Sequence, residues 1–301
     1  MSMTNFSGAY TALVTPMTAN GDVDYEGFRN LIKFQMEQGI DGIVPLGTTG
    51  ENPTLEEEEE EKLLEIAVKE AGGKIPIIAG SGSNDTKYMV KYVQRAKDMG
   101  VDAALVVTPY YNKPNDDGLL RHFEAAGKVG IPIIVYNIAS RTGRNIPTSL
   151  MVKIADIPNI AGVKESSGDI NQVGEVIREI AIPKQKKGQK FWVLSGDDGF
   201  TLPVTALGGD GVISVISNLV PAKVKALAKA ALEAKYEEAR ALHYELLPLI
   251  KAAFIETNPA PIKLAMSWKG LPSGPARLPL GKLAPASEAF LKKTLQDMGI
   301  I

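Results

Sequence analysis

Short apolar runs recur about every 30 residues along the first two thirds of the chain. They are Tyr10–Val14, Gly42–Leu46, Ile75–Ala79, Ala103–Val107, Ile131–Tyr136, Ile160–Val163, Phe191–Leu194 and Gly211–Val215. Each is rich in Val and Ile and does not alternate with polar residues, which is the pattern of a strand buried on both faces, as in a parallel sheet. Between the runs the period changes to that of a helix. In Tyr25–Gln38, Phe28, Leu31, Ile32 and Met36 form one apolar stripe, with Asp24 as N-cap and Gly39 as stop. A second helix is expected over Leu55–Lys69, opened by a capping box of Thr54 and Glu57, with the acidic run Glu56–Glu61 at the positive end of its dipole. Asn84 is expected to cap a third, whose apolar face carries Met89, Val93 and Ala96.

Eight strand–helix units within about 220 residues predict an α/β fold, a (β/α)8 TIM barrel over 1–220. A doubly wound open sheet competes with it, but Thr15-Pro16-Met17 follows the first strand, and no GxGxxG or Walker motif occurs. Beyond Val220 the pattern is helical, roughly over 221–253 and 285–299, and predicts a C-terminal helical extension over 221–301. The polar, basic stretch Pro183–Lys190 reads as a solvated loop on the stability face of the barrel.

Composition narrows the chemistry. The chain has no cysteine and two histidines, His122 and His243, far apart and in no metal-binding spacing. Thiolate, iron–sulfur and His-rich zinc chemistry are therefore set aside, and Lys, Tyr, Ser/Thr and carboxylates must carry any reaction. No metal and no cofactor are expected. A net charge of −2 shows no basic excess, so nucleic acid is not an expected partner. No apolar run approaches the ~20 residues that span a bilayer. Met1–Tyr10 lacks a signal-peptide pattern. A soluble, cytoplasmic protein with no membrane partner is the expectation.

In a TIM barrel the chemistry lies at the C-terminal ends of the strands. Those ends read Gly47-Thr48-Thr49-Gly50-Glu51 after the second run, Thr108 to Asn112 after the fourth and Tyr136 to Thr142 after the fifth. Lys164 to Asp169 follows the sixth, Ser195 to Asp198 the seventh, and Ser214 closes the eighth. Lys164 ends the buried run Ile160–Val163. Partial desolvation there is expected to lower its pKa and free the amine to attack a ketone. A snorkelling lysine, or one paired with Glu165 or an aspartate, is the structural alternative. Tyr136, at the matching level one strand away, can shuttle protons beside an imine, or can be an ordinary core tyrosine. Gly47, Thr48 and Thr49 form a turn suited to a carboxylate or an ordinary βα turn, Arg141 offers a bidentate carboxylate clamp or is an ordinary surface arginine, and Tyr110 and Tyr111 cannot both face the same way. Asp197 and Asp198 disfavour phosphorylated sugars. Together these residues point to imine chemistry on a 2-oxo acid.

At these motifs, GTTGEN (47–52), VTPYYNKP (107–114), YNIASRTG (136–143), GVKESSGD (162–169), LSGDD (194–198) and GVISVISN (211–218), the chain resembles the dihydrodipicolinate synthase and N-acetylneuraminate lyase family of pyruvate-dependent class I aldolases. The resemblance implies that Lys164 forms a Schiff base with pyruvate, that Tyr136 is its proton donor and acceptor, and that Thr48 and Tyr111 complete a relay, Tyr111 from a neighbouring subunit. It also implies that Gly47 and Thr49, with their loop amides, hold the pyruvate carboxylate, that Ile213 contacts pyruvate through its backbone, and that Arg141 clamps the carboxylate of L-aspartate-4-semialdehyde. It implies a homotetramer, a dimer of dimers. GTTGE and Ser140-Arg141-Thr142 favour the synthase of lysine and diaminopimelate biosynthesis. A lyase or aldolase for N-acetylneuraminate or a 2-keto-3-deoxy sugar acid, and a non-catalytic barrel that binds a 2-oxo acid, are the alternatives. Lysine-inhibited relatives carry histidines where Glu57 and Glu60 stand and a glutamate where Tyr88 stands, so weak or absent feedback by lysine is expected.

Overall fold

The structure, a computed structural model, describes residues 4–301, so Met1–Met3 of the expected signal-free N-terminus lie outside it. Among the described residues eight parallel strands form one sheet: β1 (Gly8–Ala12), β2 (Gly42–Val44), β3 (Ile78–Gly80), β4 (Ala103–Val107), β5 (Ile133–Asn137), β6 (Ile160–Glu165), β7 (Trp192–Ser195) and β8 (Gly211–Ser214). Their order is β2-β1-β8-β7-β6-β5-β4-β3. A parallel bridge between Ile43 and Ile77 joins the two ends of that order and closes the barrel. The expected (β/α)8 TIM barrel is therefore the observed fold. Closure leaves no strand edge to protect.

The two faces of each strand build two cores. Inside the barrel, Phe6, Tyr10, Val44, Leu105, Ile134, Trp192, Leu194 and Ile213 fill the lumen. Outside, Ile43, Val106, Val135, Val163 and Val193 pack against the surrounding helices. Burial on both faces is why the strands appear in the sequence as unbroken apolar runs. Gly211 lies against β1, where a side chain would collide with the backbone of Gly8.

Helix Pro221–Leu232 follows β8 and packs on β1 and β8, so the eighth barrel helix falls beyond residue 220. Helices Tyr236–Ala253, Ala260–Trp268 and Pro285–Asp297 follow, and their Leu246, Leu249, Ile262, Met266, Leu291 and Leu295 join the outer core.

Three local expectations are corrected. The second helix runs over Glu57–Ala71, and its capping box is made by Glu56 and Glu59 rather than Thr54 and Glu57. Thr54 instead hydrogen-bonds the carbonyl of Glu51. The third helix, Thr86–Asp98, is capped by Asp85, whose carboxylate accepts from the Lys87 N–H, and not by Asn84. The basic stretch from Pro183 is not simply a loop: Ile170–Val176, a π-helical turn Ile177–Ala181 and Ile182–Lys186 run on as one helix. Its lysines are a solvated helix face, and Ile177 and Ile180 are its buried side.

Candidate active site

The strand register sets the centre of the site. Tyr136 on β5 pairs directly with Lys164 on β6. Residues at one register level of neighbouring parallel strands share a face, so both point into the mouth of the barrel. The Lys164 amine lies 4.1 Å from the centroid of the Tyr136 ring. Lys164 is 6% exposed. The adjacent Glu165 does not pair with it. The Glu165 carboxylate faces the opposite way and accepts from Asn137 Nδ2 at 3.2 Å, the Ser167 N–H at 2.7 Å and Gln172 Nε2 at 3.4 Å. Burial nonetheless raises the pKa of Glu165. Gly196, at the end of β7, has to lack a side chain: a Cβ there would sit 2.8 Å from Lys164 Cε and 2.0 Å from Ser166 Oγ. The Ser166 hydroxyl is buried and has no partner among the described residues.

After β2 the chain enters a 3-10 turn, Thr48–Gly50. Gly50 N–H and Glu51 N–H bond back to Gly47 and Thr48 carbonyls at 3.0 and 3.1 Å. The N–H groups at the start of such a turn have no partner inside it, which suits an anion. Gly80 of β3 lies beneath, where any Cβ would meet the Leu46 carbonyl at 1.9 Å.

A cavity of about 200 Å3 opens at this end of the barrel. Gly47, Thr48, Tyr110, Tyr136 and Arg141 are in its lining, with Leu46, Leu105, Val107 and Ile138 supplying apolar wall. Lys164, Thr49 and Ile213 lie outside that lining. Tyr136 joins the two groups, since its ring both lines the cavity and faces the lysine. Ile213 is fully buried in the barrel lumen on β8. Tyr110 and Tyr111 do face apart: Tyr110 lines the cavity, whereas Tyr111 is 90% exposed at a φ of 71°.

The end of β7 carries Asp198, which is buried. Its carboxylate accepts from the Ser214 hydroxyl and from the Val215 and Ile216 N–H groups, the last two at 2.9 and 3.2 Å. Burial pushes its pKa up to about 6, outweighing the three donors. Barrel enzymes of phosphorylated substrates use this region, after strands seven and eight, to hold a phosphate. Here an internal carboxylate fills the amides.

Sequence reasoning missed the clamp behind the Thr48–Gly50 turn. Asn258, between two helices of the C-terminal extension, donates from Nδ2 to Thr49 Oγ1 at 2.9 Å and accepts on its main-chain carbonyl from Arg141 Nη2 at 3.1 Å. Lys263 donates to Glu51 Oε1 at 2.6 Å, to the Thr15 carbonyl at 3.0 Å and to the Pro275 carbonyl at 2.8 Å. No local pattern marks these two residues, because their partners are 209 and 212 positions away.

Of the three positions set against lysine-inhibited relatives, Tyr88 stacks on Tyr92, and Glu57 and Glu60 are held in internal pairs. Glu57 binds Lys91 at 2.6 Å, and Glu60 is buried against Arg95 and Asn52. Arg95 also lies over the ring of Tyr92. His122 and His243 lie outside the cavity lining.

Known proteins match this chain over nearly its whole length. The model of the Dihydrodipicolinate synthetase family matches residues 5–298. A 4-hydroxy-tetrahydrodipicolinate synthase of Protochlamydia amoebophila is 49% identical over 292 residues, 97% of this chain and 96% of the relative. The crystal structure of dihydrodipicolinate synthase from Aquifex aeolicus superposes with a TM-score of 0.93 at 45% identity, covering 98% of this chain and 99% of the other. The chloride-inhibited dihydrodipicolinate synthase of Acinetobacter baumannii, solved in complex with pyruvate, gives a TM-score of 0.93 at 38% identity, covering 99% of this chain and 100% of the other.

Proposed function

The chain belongs to the dihydrodipicolinate synthetase family, and from that premise we propose that it condenses pyruvate with L-aspartate-4-semialdehyde to give 4-hydroxy-tetrahydrodipicolinate. The observation that carries the chemistry is a buried lysine amine 4.1 Å from a tyrosine ring at the barrel mouth. The relative from Acinetobacter baumannii was solved with pyruvate, which fits an amine acting on a small 2-oxo acid.

In this reading the Lys164 amine attacks the ketone carbon of pyruvate. The Tyr136 hydroxyl returns a proton to the carbinolamine oxygen, which leaves as water, and an iminium forms. Loss of a methyl proton gives the enamine, whose carbon attacks the aldehyde. The amino group of the condensed product then adds to the imine carbon, closes a six-membered ring and expels Lys164. Gly47 and Thr49 hold the pyruvate carboxylate, with Ile213 supplying a backbone contact, and Arg141 holds the carboxylate of the aldehyde. Thr48 and Tyr111 pass protons to and from Tyr136. An almost fully exposed tyrosine is poorly placed to serve its own subunit's cavity, which supports Tyr111 acting in a partner's site within a homotetramer, a dimer of dimers. The place of action would be the cytoplasm. Among the described residues no helix is long and apolar enough to cross a membrane.

Borohydride in the presence of pyruvate tests the nucleophile, with a covalent adduct expected on Lys164. An adduct on another residue, or none, rejects it. Turnover of aspartate semialdehyde, measured beside N-acetylneuraminate and 2-keto-3-deoxygluconate, tests the substrate. Preferential turnover of either sugar acid would overturn that assignment.

A further inference from the structure

We infer that Asn258 is a positioning residue that serves the two carboxylate-binding groups by separate atoms: its side chain aims the Thr49 hydroxyl, and its main-chain carbonyl anchors Arg141. The inference rests on the function proposed above and deepens it.

A threonine hydroxyl has one proton to give and two lone pairs to receive with. At Thr49 one lone pair is taken by Asn258 Nδ2 at 2.9 Å. Because that nitrogen can only donate, the Thr49 proton cannot point at it and must be given elsewhere. The site leaves a carboxylate as the natural taker. Thr49 is 3% exposed and Asn258 5% exposed, so water does not compete freely for either group, and the direction of the proton is set before a substrate arrives. Such preorganisation is where a buried polar contact contributes most to binding. The other end of the same residue acts on a different group. The Asn258 carbonyl accepts from Arg141 Nη2 at 3.1 Å. Arg141 is otherwise exposed and keeps the rest of its donor fork for a ligand.

The same stretch of chain reaches the turn a second time through Lys263. Lys263 is locked to Glu51, two residues beyond Thr49, at 2.6 Å. The C-terminal extension thus grips the Thr48–Gly50 turn at two points, and Asn258 is the point nearer the candidate carboxylate site.

The division of labour gives a test that a merely structural role does not reproduce. Replacing the side chain leaves the carbonyl in place. In the full-length enzyme, Asn258→Ala is expected to raise the KM for pyruvate about tenfold, the equivalent of one orienting hydrogen bond. The KM for the aldehyde should stay within about twofold and kcat within about threefold, these bounds being small against that tenfold effect. Asn258→Asp, of the same shape, can only accept, draws the Thr49 proton to itself and places a negative charge beside the substrate. Its pyruvate KM should rise further than that of Asn258→Ala. In a Thr49→Val background Asn258→Ala should change the pyruvate KM no further, because the hydroxyl it orients is gone.

Equal rises in both KM values, or unchanged pyruvate KM in either folded variant, would overturn the inference. So would full additivity with Thr49→Val. The pyruvate concentration that half-saturates borohydride trapping gives the same comparison without the aldehyde. No trapping in the unaltered enzyme rejects the proposed function. Trapping that is equal in the unaltered enzyme and Asn258→Ala rejects only the role of Asn258.

Discussion

Lys263→Met should destabilise the protein far more than its position in the C-terminal extension suggests. Lys263 is 1% exposed and gives its three ammonium hydrogens to Glu51 Oε1, the Thr15 carbonyl and the Pro275 carbonyl. Burial lowers its pKa, and the Glu51 carboxylate works against that shift. Methionine matches the length of the side chain but leaves Glu51 as a buried carboxylate held, among the described residues, only by the Arg277 N–H at 2.7 Å. Breaking a buried pair from one side costs about 3–5 kcal/mol. With an unfolding entropy of roughly 2.1 cal/mol/K per residue over a chain of this length, that corresponds to a fall in Tm of about 5–8 °C. Removing both charges, in Glu51→Gln with Lys263→Met, leaves no orphan ion and should recover at least about 1.5 kcal/mol relative to the summed single effects. Circular-dichroism melts and urea titrations of the four proteins provide the cycle. A shift under about 1 °C in Lys263→Met, on that same entropy scale, or a double variant at or below the sum of the singles, would refute the argument. The pyruvate KM of Lys263→Met, measured at a temperature where it is fully folded, should also rise, because Glu51 ends the turn that carries Thr48 and Thr49.

Three further outcomes are expected. His122 is buried with Nδ1 on the Thr86 hydroxyl at 2.9 Å, and burial lowers its pKa from 6.5 to about 4. The unfolded chain therefore binds the proton that the fold refuses, stability falls as pH drops from about 6.5 toward 4, and His122→Gln should remove roughly 3 kcal/mol of that loss in urea titrations across the window. An unchanged acid limb in the variant would count against it. Asp198 works in the opposite sense: its pKa is raised from 3.8 to about 6, so its contribution is fully present below 3.8 and is lost as pH rises through 6, and Asp198→Asn should steepen the net acid loss. Lysine should inhibit weakly or not at all, since Glu57 and Glu60 are engaged by Lys91 and Arg95. Half-inhibition below one millimolar in a steady-state assay rules that out.

The parts of this molecule that were readable in the sequence are those governed by neighbours in sequence or by burial on both faces. The eight apolar runs located the strands, and where ends moved they did so by a residue or a few. The third run lies at Ile75–Ala79, whereas β3 is Ile78–Gly80, because pairing with adjacent strands decides where a ladder begins. Capping signals were less determinate for a physical reason. Six consecutive glutamates offer several boxes of the same spacing, and the fold uses Glu56 with Glu59. The helix through Ile182–Lys186 was obscured because four lysines near it supply charge but little apolar period. Helix Ala260–Trp268 was missed because Pro259 and Pro261 punctuate its start.

Lys164 and Tyr136 were legible because barrel topology alone puts strand ends together, and the register then sets them level. Asn258 and Lys263 were not, because nothing local says that a loop after the barrel returns to the turn after β2. Their effect on that turn is nevertheless chemical as well as structural. The turn is flanked by two non-glycine residues at positive φ, Leu46 and Glu51, both at 58°, a conformation side chains adopt at a cost of about 1–3 kcal/mol each. A strained turn persists only if its surroundings over-determine it. Here Glu51 is pinned by Lys263 and by the Arg277 N–H, Thr49 by Asn258, and the Gly50 carbonyl by the Thr15 hydroxyl at 2.6 Å. Three of those four restraints come from beyond residue 250. The extension is therefore part of what shapes the candidate carboxylate site, and a barrel truncated after its eighth helix should lose that shape even where its strands still pair.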